Sequence, residues 1–338
     1  MVTGAAPRDT ARPLVVLVPD GASEPGIQTT LSRANTPHLD ALCASQGVGR
    51  LRTIPIGANP GTEVGLARLV GITADAPARG WLEAAAAGLD VGIGRAAWRL
   101  DLVAGTATAK QLTGALGALG ASGPDPDPEV QALNGGRHVL IGPAGWGDAA
   151  AGHDRPIPMA WQHRLASVED ALGVRLRVWG RAAHPTLPVR ADLAVLPDSP
   201  AALGLTRSVR ATSLPDLQAA LRAIKEARHS TLLIHDAGPD EAAHRRDPQA
   251  KRAAIERFDA TVVGPVLAVA DAHGAAVLVA PDHGCDPETG SHTAEPVPAT
   301  WPGAPGIGRL TEAQTADAPV ADAATTVHEL APAWEDAA

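Results

Sequence analysis

The residues with the clearest chemical potential lie between Asp282 and Pro298, in a segment that reads DHGCDPETGSHTAEPVP. It follows an apolar run, 275–280, that is typical of a buried strand in a parallel sheet. Such a strand would place Asp282 and His283 at the carboxyl edge of the sheet, where open α/β folds keep their sites. His292 lies nine residues beyond His283 in a loop that can turn it back toward Asp282. Carboxylate and imidazole ligands together suit Zn²⁺ or Mn²⁺ better than a redox centre.

Two other predicted strand ends carry similar side chains. Asp240 and His244 follow the apolar run 231–234, and their spacing of four residues in a predicted helix allows them to hold one ion together. Asp20 ends a third apolar run, 13–19. A helix-capping Asp beside surface histidines could explain one such segment alone. Packing does not readily explain three strand ends that each deliver an acid or an acid–histidine pair.

Thr62 supplies a hydroxyl that could act as a nucleophile. It lies in a glycine-rich turn, 57–65, directly before the helical segment 66–70. Backbone N–H groups at a helix N-terminus favour an incoming phosphate and could hold a nucleophile beside it. A plain helix-capping role is the alternative for this residue.

The elements that would position these residues alternate as in an α/β fold. Strands of a mostly parallel central sheet, flanked by helices, are predicted at 13–19, 192–196, 231–234 and 275–280. One helix is predicted to begin at Pro37, after Thr36 as N-cap, and another to cover 213–228. The stretch from Asp240 to about Ala268 is predicted as a single helix with a kink at Gly264–Pro265.

A different pattern between 73 and 189 predicts an inserted domain. Strand–helix alternation weakens there, and Gly and Pro interrupt the chain more often. We expect a smaller α+β domain at 73–189, between a first core segment, 1–72, and a second, 190–338. It could hold an anionic substrate, because Arg binds phosphate and carboxylate with two parallel hydrogen bonds. The candidates are Arg99, Arg137, His153, Arg155 and Arg181, each of which could also be a surface charge.

Composition argues against several classes of function. The formal net charge of −9 over 338 residues argues against non-specific nucleic-acid binding. No apolar stretch approaches the roughly 20 residues of a membrane span, and residues 1–12 lack the apolar core of a signal peptide and are expected to be a disordered lead-in. Cys43 and Cys285 are too few for a disulfide framework. We therefore expect a cytoplasmic protein in a reducing compartment.

Seven residues reproduce the metal and nucleophile pattern of the alkaline phosphatase superfamily, and the resemblance is closest to its phosphomutase branch. They are Asp20, Thr62, Asp240, His244, Asp282, His283 and His292. Four segments resemble cofactor-independent phosphoglycerate mutases, notably the archaeal type: 36–40 (TPHLD), 60–65 (PGTEVG), 239–244 (PDEAAH) and 292–298 (HTAEPVP). Two segments resemble phosphopentomutases instead: 282–287 (DHGCDP) and 244–247 (HRRD).

The resemblance implies an alkaline-phosphatase-like core with an inserted cap domain and a site for two divalent metal ions. Mn²⁺ and Zn²⁺ are the expected ions, and Mg²⁺ also fits these ligand types. The resemblance assigns one ion to Asp240, His244 and His292, and the other to Asp20, Asp282 and His283, with Thr62 bridging or adjoining. The ions would activate Thr62 to accept a phosphoryl group from a small phosphorylated substrate.

Our hypothesis from the sequence is a two-metal phosphomutase of the 2,3-bisphosphoglycerate-independent phosphoglycerate mutase type, which works through a phospho-Thr62 intermediate on a substrate that the sequence does not identify. Thr62 departs from the Ser that is usual in that family, and Asp236–Ala237 stands where its archaeal members often carry Ile–Lys. The chain is also short in the cap region. The alternatives are a phosphopentomutase-like enzyme, a metal-dependent phosphatase or phosphonate hydrolase for a specialised metabolite, and a non-catalytic protein that keeps the ligands for stability.

Overall fold

The computed structural model describes residues 12–74, 78–120, 127–133, 137–150, 155–182 and 185–331. The chain divides into two compact units. Unit 1 comprises Met1–Thr73, Pro188–Ala202 and Val209–Ala338, and unit 2 comprises Ala74–Leu187 and Leu203–Ser208. The lead-in expected at 1–12 lies, apart from Arg12, outside the described residues.

The strands and helices follow in chain order. The strands are β1 (Leu14–Pro19), β2 (Gly49–Arg52), β3 (Arg95–Ala104), β4 (Glu129–Ala132), β5 (Arg137–Pro143), β6 (Arg175–Trp179), β7 (Leu193–Leu196), β8 (Thr212–Ser213), β9 (Thr231–Asp236), β10 (Ala276–Val279), β11 (Gly284–Asp286), β12 (Ser291–Thr293), β13 (Val297–Ala299) and β14 (Val320–Asp322). The helices are α1 (Thr30–Arg33), α2 (Pro37–Gln46), α3 (Thr62–Leu69), α4 (Arg79–Ala87), α5 (Ala109–Gly120), α6 (Met159–Leu172), α7 (Pro200–Ser208), α8 (Leu217–Glu226), α9 (Gly238–His244), α10 (Pro248–Phe258), α11 (Gly264–His273), α12 (Glu312–Thr315) and α13 (Ala323–Leu330).

A five-stranded sheet forms the centre of unit 1, in the order β10-β1-β9-β7-β8 with every neighbouring pair parallel. Each residue of β1 is buried, as expected for a central strand of a parallel sheet. Apolar side chains of α2, α8 and α11 pack against Val15, Leu17 and Ile234 of the sheet. The predicted α/β core with a mostly parallel sheet is therefore confirmed.

Two smaller strand groups complete unit 1. Strand β2 pairs with β13 in antiparallel and with β14 in parallel orientation. Strands β11 and β12 form a short antiparallel ribbon directly after β10, in which Cys285 lies opposite His292. This ribbon returns the chain toward the carboxyl edge of the central sheet.

The prediction of a single helix from Asp240 to Ala268 is wrong. Helix α9 ends at His244, and Arg246 adopts a left-handed conformation with φ of 57°. A new helix, α10, then begins behind Asp247, whose side chain accepts a hydrogen bond from the backbone N–H of Ala250. Next to the kink predicted at Gly264–Pro265, a π-helical turn at 259–263 leads into α11, and Pro265 has no N–H with which to continue the ordinary ladder.

Unit 2 has its own antiparallel sheet in the order β4-β5-β3-β6. Helices α5 and α6 pack with this sheet around Trp98 and Trp161, both fully buried. The indole N–H groups of these two tryptophans donate to the carbonyl of Gly147. Within the described part of the chain, no helix is both long and apolar enough to cross a membrane.

Candidate metal centre

The carboxyl ends of three adjacent strands deliver the acidic side chains of the site. Asp20 directly follows β1, Asp282 follows β10, and Asp240 lies in α9, which begins just after β9. Because β1 lies between β9 and β10 in a parallel sheet, these three chain segments leave the sheet at the same edge. The backbone N–H of Gly21 donates to Asp282 Oδ1 at 3.1 Å and ties two of them together.

The first group of ligand-type residues contains Asp240, His244 and His292. His244 Nε2 lies 3.1 Å from Asp240 Oδ2, and His292 Nε2 lies 3.4 Å from Asp240 Oδ1. The two imidazole Nε2 atoms are 3.1 Å apart. The helical spacing of Asp240 and His244 thus places them on one face, and the ribbon brings His292 to the same point.

The second group contains Asp20, Asp282 and His283, all of which are buried. His283 Nε2 lies 3.3 Å from Asp20 Oδ1 and 3.5 Å from Asp282 Oδ2. The imidazole rings of His283 and His292 are stacked with centroids 4.0 Å apart, so the two groups are immediate neighbours. Both sets can hold a metal ion with carboxylate oxygen and imidazole nitrogen.

The orientation of the three histidines fits metal binding. His244 Nδ1 lies 2.9 Å from the carbonyl of Gly290, and His283 Nδ1 lies 3.1 Å from that of Gly284. His292 Nδ1 lies 3.3 Å from the carbonyl of Pro60. A carbonyl can only accept, so each Nδ1 carries a proton, and each Nε2 is the ring atom that faces the carboxylates and can bind an ion once it carries no proton. Metal-binding histidines are held in this way by a second hydrogen bond.

Two carboxylate oxygens support the same conclusion. Among the buried side-chain atoms that the structure describes, Asp240 Oδ1 and Asp282 Oδ2 have no hydrogen-bond partner. A buried carboxylate oxygen without a partner is costly, and a bound cation would offset that cost. The donor set and these two atoms therefore fit a pair of divalent ions.

Thr62 is the first residue of α3 and lies beside the second group. Its Oγ1 is 3.4 Å from Asp20 Oδ2 and 3.4 Å from His283 Nε2. Gly65, one turn further along, packs directly on the site, since a Cβ there would lie 2.1 Å from the backbone oxygen of Asp282. The helix N-terminus and the hydroxyl are thus fixed against the carboxylates.

The electrostatics of the site affect whether its side chains are in the protonation state that binds a metal ion. Burial and the charge of His292 lower the pKa of His283 to about 3, so this imidazole is neutral at pH 7. Burial opposes ionisation of Asp240, but the neighbouring imidazoles of His244 and His292 outweigh it and hold its pKa well below the usual value. Burial raises the pKa of Asp282, which a nearby cation would reverse.

Three residues beside the site were not singled out in the sequence. His235 Nε2 lies 3.1 Å from Asp20 Oδ2, and burial lowers the pKa of this imidazole. Cys285 lies within reach of the first group. Lys251 donates to the backbone carbonyls of Ser23 and Cys285 from a fully buried position. A lone histidine in the apolar β9 was a usable signal for His235, whereas the other two depend on tertiary contacts.

The substrate-binding candidates of unit 2 lie in different environments. Arg99 is 5% exposed and pairs with Glu83 and Asp101, so its guanidinium already faces two carboxylates. Arg137, Arg155 and Arg181 are exposed. His153 lies outside the described residues.

A family model described as the metalloenzyme superfamily matches residues 12–327. The chain belongs to this superfamily. Curated relatives of the metalloenzyme include a "Probable 2,3-bisphosphoglycerate-independent phosphoglycerate mutase" of Geobacter sulfurreducens, 27% identical over 84% of this chain and 89% of the relative. A 2,3-bisphosphoglycerate-independent phosphoglycerate mutase of Methanothrix thermoacetophila is 26% identical over 84% of this chain and 89% of the relative.

Solved structures show the same fold as this metalloenzyme. The PH0037 protein from Pyrococcus horikoshii superimposes with a TM-score of 0.71 at 18% identity, over 95% of this chain and 97% of that chain. The cofactor-independent phosphoglycerate mutase from Thermoplasma acidophilum gives a TM-score of 0.52 at 19% identity, over 95% of this chain and 100% of that chain. The superfamily and the fold predicted from the sequence are therefore confirmed.

Proposed function

We propose that this metalloenzyme is a phosphomutase of the 2,3-bisphosphoglycerate-independent phosphoglycerate mutase type. The observation that carries the proposal is the position of Thr62 Oγ1, 3.4 Å from both Asp20 and His283 at the N-terminus of α3. A hydroxyl beside two adjacent ligand groups is the arrangement that phosphoryl transfer through a covalent intermediate requires. The names and coverage of the relatives support this choice of reaction.

We assign the ligands as the sequence predicts. Asp240, His244 and His292 would hold one divalent ion, and Asp20, Asp282 and His283 the other, with Thr62 adjoining the second. When bound, such ions neutralise phosphoryl oxygens and lower the pKa of a nearby hydroxyl. Mn²⁺ and Zn²⁺ suit the carboxylate and imidazole donors, and Mg²⁺ suits the carboxylates.

In the proposed reaction Thr62 receives and then returns the phosphoryl group. The bond from Thr62 Oγ1 to phosphorus forms as the bond from phosphorus to the substrate oxygen breaks, and the proton of Thr62 ends on that oxygen. The N-terminus of α3 favours the negative charge of the phosphoryl group. The reverse transfer to a second hydroxyl of the same molecule gives the isomer.

Unit 2 is proposed to act as the cap that keeps water from phospho-Thr62. Exclusion of water separates a mutase from a phosphatase, because phospho-Thr62 would otherwise be hydrolysed. Arg137, Arg155, Arg181 and His153 remain candidates for binding the anionic substrate. Arg99 is the weaker candidate because Glu83 and Asp101 already occupy its guanidinium.

We also propose a cytoplasmic location, with a small phosphorylated metabolite as substrate. Cys43 and Cys285 are both unpaired thiols, as expected in a reducing compartment.

Phosphorus NMR of the Mn²⁺- or Zn²⁺-loaded enzyme with 3-phosphoglycerate tests the proposal. Appearance of 2-phosphoglycerate without free phosphate is the expected result. A parallel sample with ribose 1-phosphate tests the phosphopentomutase alternative, for which ribose 5-phosphate would be the product. Free phosphate as the sole product would establish a phosphatase, and no turnover of any phosphoester by fully loaded protein would overturn the enzymatic assignment.

A further inference from the structure

Cys285 lies beside the first ligand group but has no part in the proposed reaction. It is fully buried in β11, directly opposite His292 of β12. Residues that face each other in an antiparallel pair project from the same side of the ribbon. The thiol therefore lies on the side from which the His292 imidazole approaches Asp240.

The distances bring the thiol within reach of an ion in this group. Cys285 Sγ and one ligand atom each from Asp240, His244 and His292 all lie within 4.8 Å of one another. In a tetrahedral zinc site, with Zn–S of about 2.3 Å and Zn–N or Zn–O of about 2.0–2.1 Å, ligand atoms are roughly 3.3–3.8 Å apart. The four atoms thus need to close by no more than about 1.5 Å around an ion.

A second, independent feature points into the same space. Asp240 is 8% exposed, and its Oδ1 has no hydrogen-bond partner among the described residues. Gly21 keeps this space open, because a Cβ there would lie 2.6 Å from Asp240 Oδ1 and 3.0 Å from Cys285 Cβ. The carboxylate oxygen and the cysteine side chain therefore line one small buried volume.

The backbone of Cys285 is held in place by its neighbours. Its N–H donates to the carbonyl of Ser23 at 2.8 Å, and its carbonyl accepts from Lys251 Nζ at 2.6 Å. Lys251 also pairs with Glu24 at 2.8 Å. The position of the thiol is consequently set by contacts that do not depend on a metal.

We propose that Cys285 is a fourth protein ligand of the ion held by Asp240, His244 and His292, and that it makes this site selective for Zn²⁺. The inference rests on the proposed metal centre. On binding, the thiol proton is released to solvent and the thiolate sulfur coordinates the ion. Soft sulfur favours Zn²⁺ over Mn²⁺ and Mg²⁺, whose preferred ligands are oxygen. Zinc can expand to five ligands, so a fourth protein ligand still permits a substrate oxygen to bind.

X-ray absorption at the zinc edge tests the proposal on the full chain loaded with two Zn²⁺ ions. The wild-type protein should show a sulfur shell at about 2.3 Å, averaging one sulfur for every two zinc ions. Cys285→Ser should lose that shell, whereas the matched control Cys43→Ser, at the other buried cysteine, should keep it. Competition between Zn²⁺ and Mn²⁺ should show selectivity for zinc falling by at least about tenfold in Cys285→Ser and Cys285→Ala.

The outcomes separate this inference from the proposed function. Two bound zinc ions without a sulfur shell in the wild-type protein would overturn the role of Cys285 and leave phosphoryl transfer intact. A sulfur shell that persists in Cys285→Ser would overturn it as well. A sulfur shell that depends on Cys285, in a protein that transfers no phosphoryl group, would support the ligand while the proposed function failed. A protein that binds no zinc would overturn the role of Cys285, and one that binds no divalent ion at all would contradict both.

Discussion

The chemistry of single residues in this site depends on what surrounds each carboxylate. Asp20 and Asp282 are both buried at the edge of the sheet, and His283 between them is neutral because burial and the charge of His292 keep its pKa near 3. The neutral imidazole does not compensate the negative charge of the two buried carboxylates. This uncompensated charge favours the binding of cations. The hydroxyl of Thr62 borders this charge, because its Oγ1 lies 3.4 Å from Asp20 Oδ2 and 3.4 Å from His283 Nε2.

Thr62→Ala should abolish turnover without emptying the metal centre. Removing a catalytic nucleophile lowers turnover by more than about 10³-fold, since the remaining groups cannot form the covalent intermediate. Metal content, measured by elemental analysis, should stay at the wild-type level because both ligand groups remain. Thr62→Ser is the matched control and should retain measurable turnover through its hydroxyl. Wild-type rates in Thr62→Ala would exclude the nucleophilic role.

At the scale of elements, the site depends on close packing between α3 and the segment after β10. Gly65 is the contact point, since a Cβ there would lie 2.1 Å from the Asp282 backbone oxygen. Lys251 of α10 makes the second connection, by joining the loop after β1 to the ribbon through Ser23, Glu24 and Cys285. These contacts hold the ligand-bearing loops at fixed positions before any ion binds.

Gly65→Ala should weaken metal binding and stability together. The added methyl group forces α3 away from Asp282, at a cost of about 1–3 kcal/mol in the free energy of unfolding. Chemical denaturation and metal titration would measure the two effects. Gly114→Ala in α5 is the control, because no atom lies within 4 Å of a Cβ there, and it should be neutral or slightly stabilising. Equal behaviour of the two variants would contradict the close packing at Gly65.

Lys251→Met should destabilise the metal-free protein. The variant leaves Glu24 and two buried carbonyls without the ammonium group that they bind. Removing one partner of a buried ion pair lowers the free energy of unfolding by about 3–5 kcal/mol. Urea denaturation in the presence of chelator would measure the loss. The neighbouring Arg252→Met removes a half-exposed pair with Glu256 and should cost less than about 1 kcal/mol. A loss for Lys251→Met as small as for Arg252→Met would show that the buried connection is dispensable.

The sequence predicted the strands and most of the site because both are local patterns. Apolar runs marked β1, β9 and β10, and an acid or histidine after each run marked the sheet edge. The sequence analysis did not predict the break after His244, where Arg246 adopts a left-handed conformation, although Asp247–Pro248 carries the signal of a new helix start. Cys285 could not be identified, since its place opposite His292 is set by the register of a three-residue ribbon.

At the scale of the whole molecule, both ligand groups belong to unit 1, while unit 2 has a separate core. The ligands come from α9, the ribbon β11–β12 and the loops after β1 and β10. Unit 2 is held by its own antiparallel sheet and by the buried Trp98 and Trp161. Metal binding should therefore stabilise the two units unequally.

Metal removal should loosen the ligand-bearing segments selectively. Chelation should speed hydrogen exchange in α9 and in β11–β12, because a ligand at 100 times its Kd stabilises the folded site by about 2.7 kcal/mol. The amides of β3 and β5 in unit 2 are the internal control and should keep their protection. Mass spectrometry of peptides after exchange would measure both sets. Uniform acceleration across both units, or none at all, would disagree with a metal centre confined to unit 1.

The most direct test of the central claim is a single-turnover experiment with 3-phosphoglycerate carrying a labelled phosphoryl group. Metal-loaded enzyme in excess over substrate would be quenched rapidly, and the label on Thr62 and on 2-phosphoglycerate would be followed in time. We expect the label to appear first on Thr62 and then on 2-phosphoglycerate, with little free phosphate. Formation of 2-phosphoglycerate without label ever reaching Thr62, together with full activity of Thr62→Ala, would contradict the proposed mechanism.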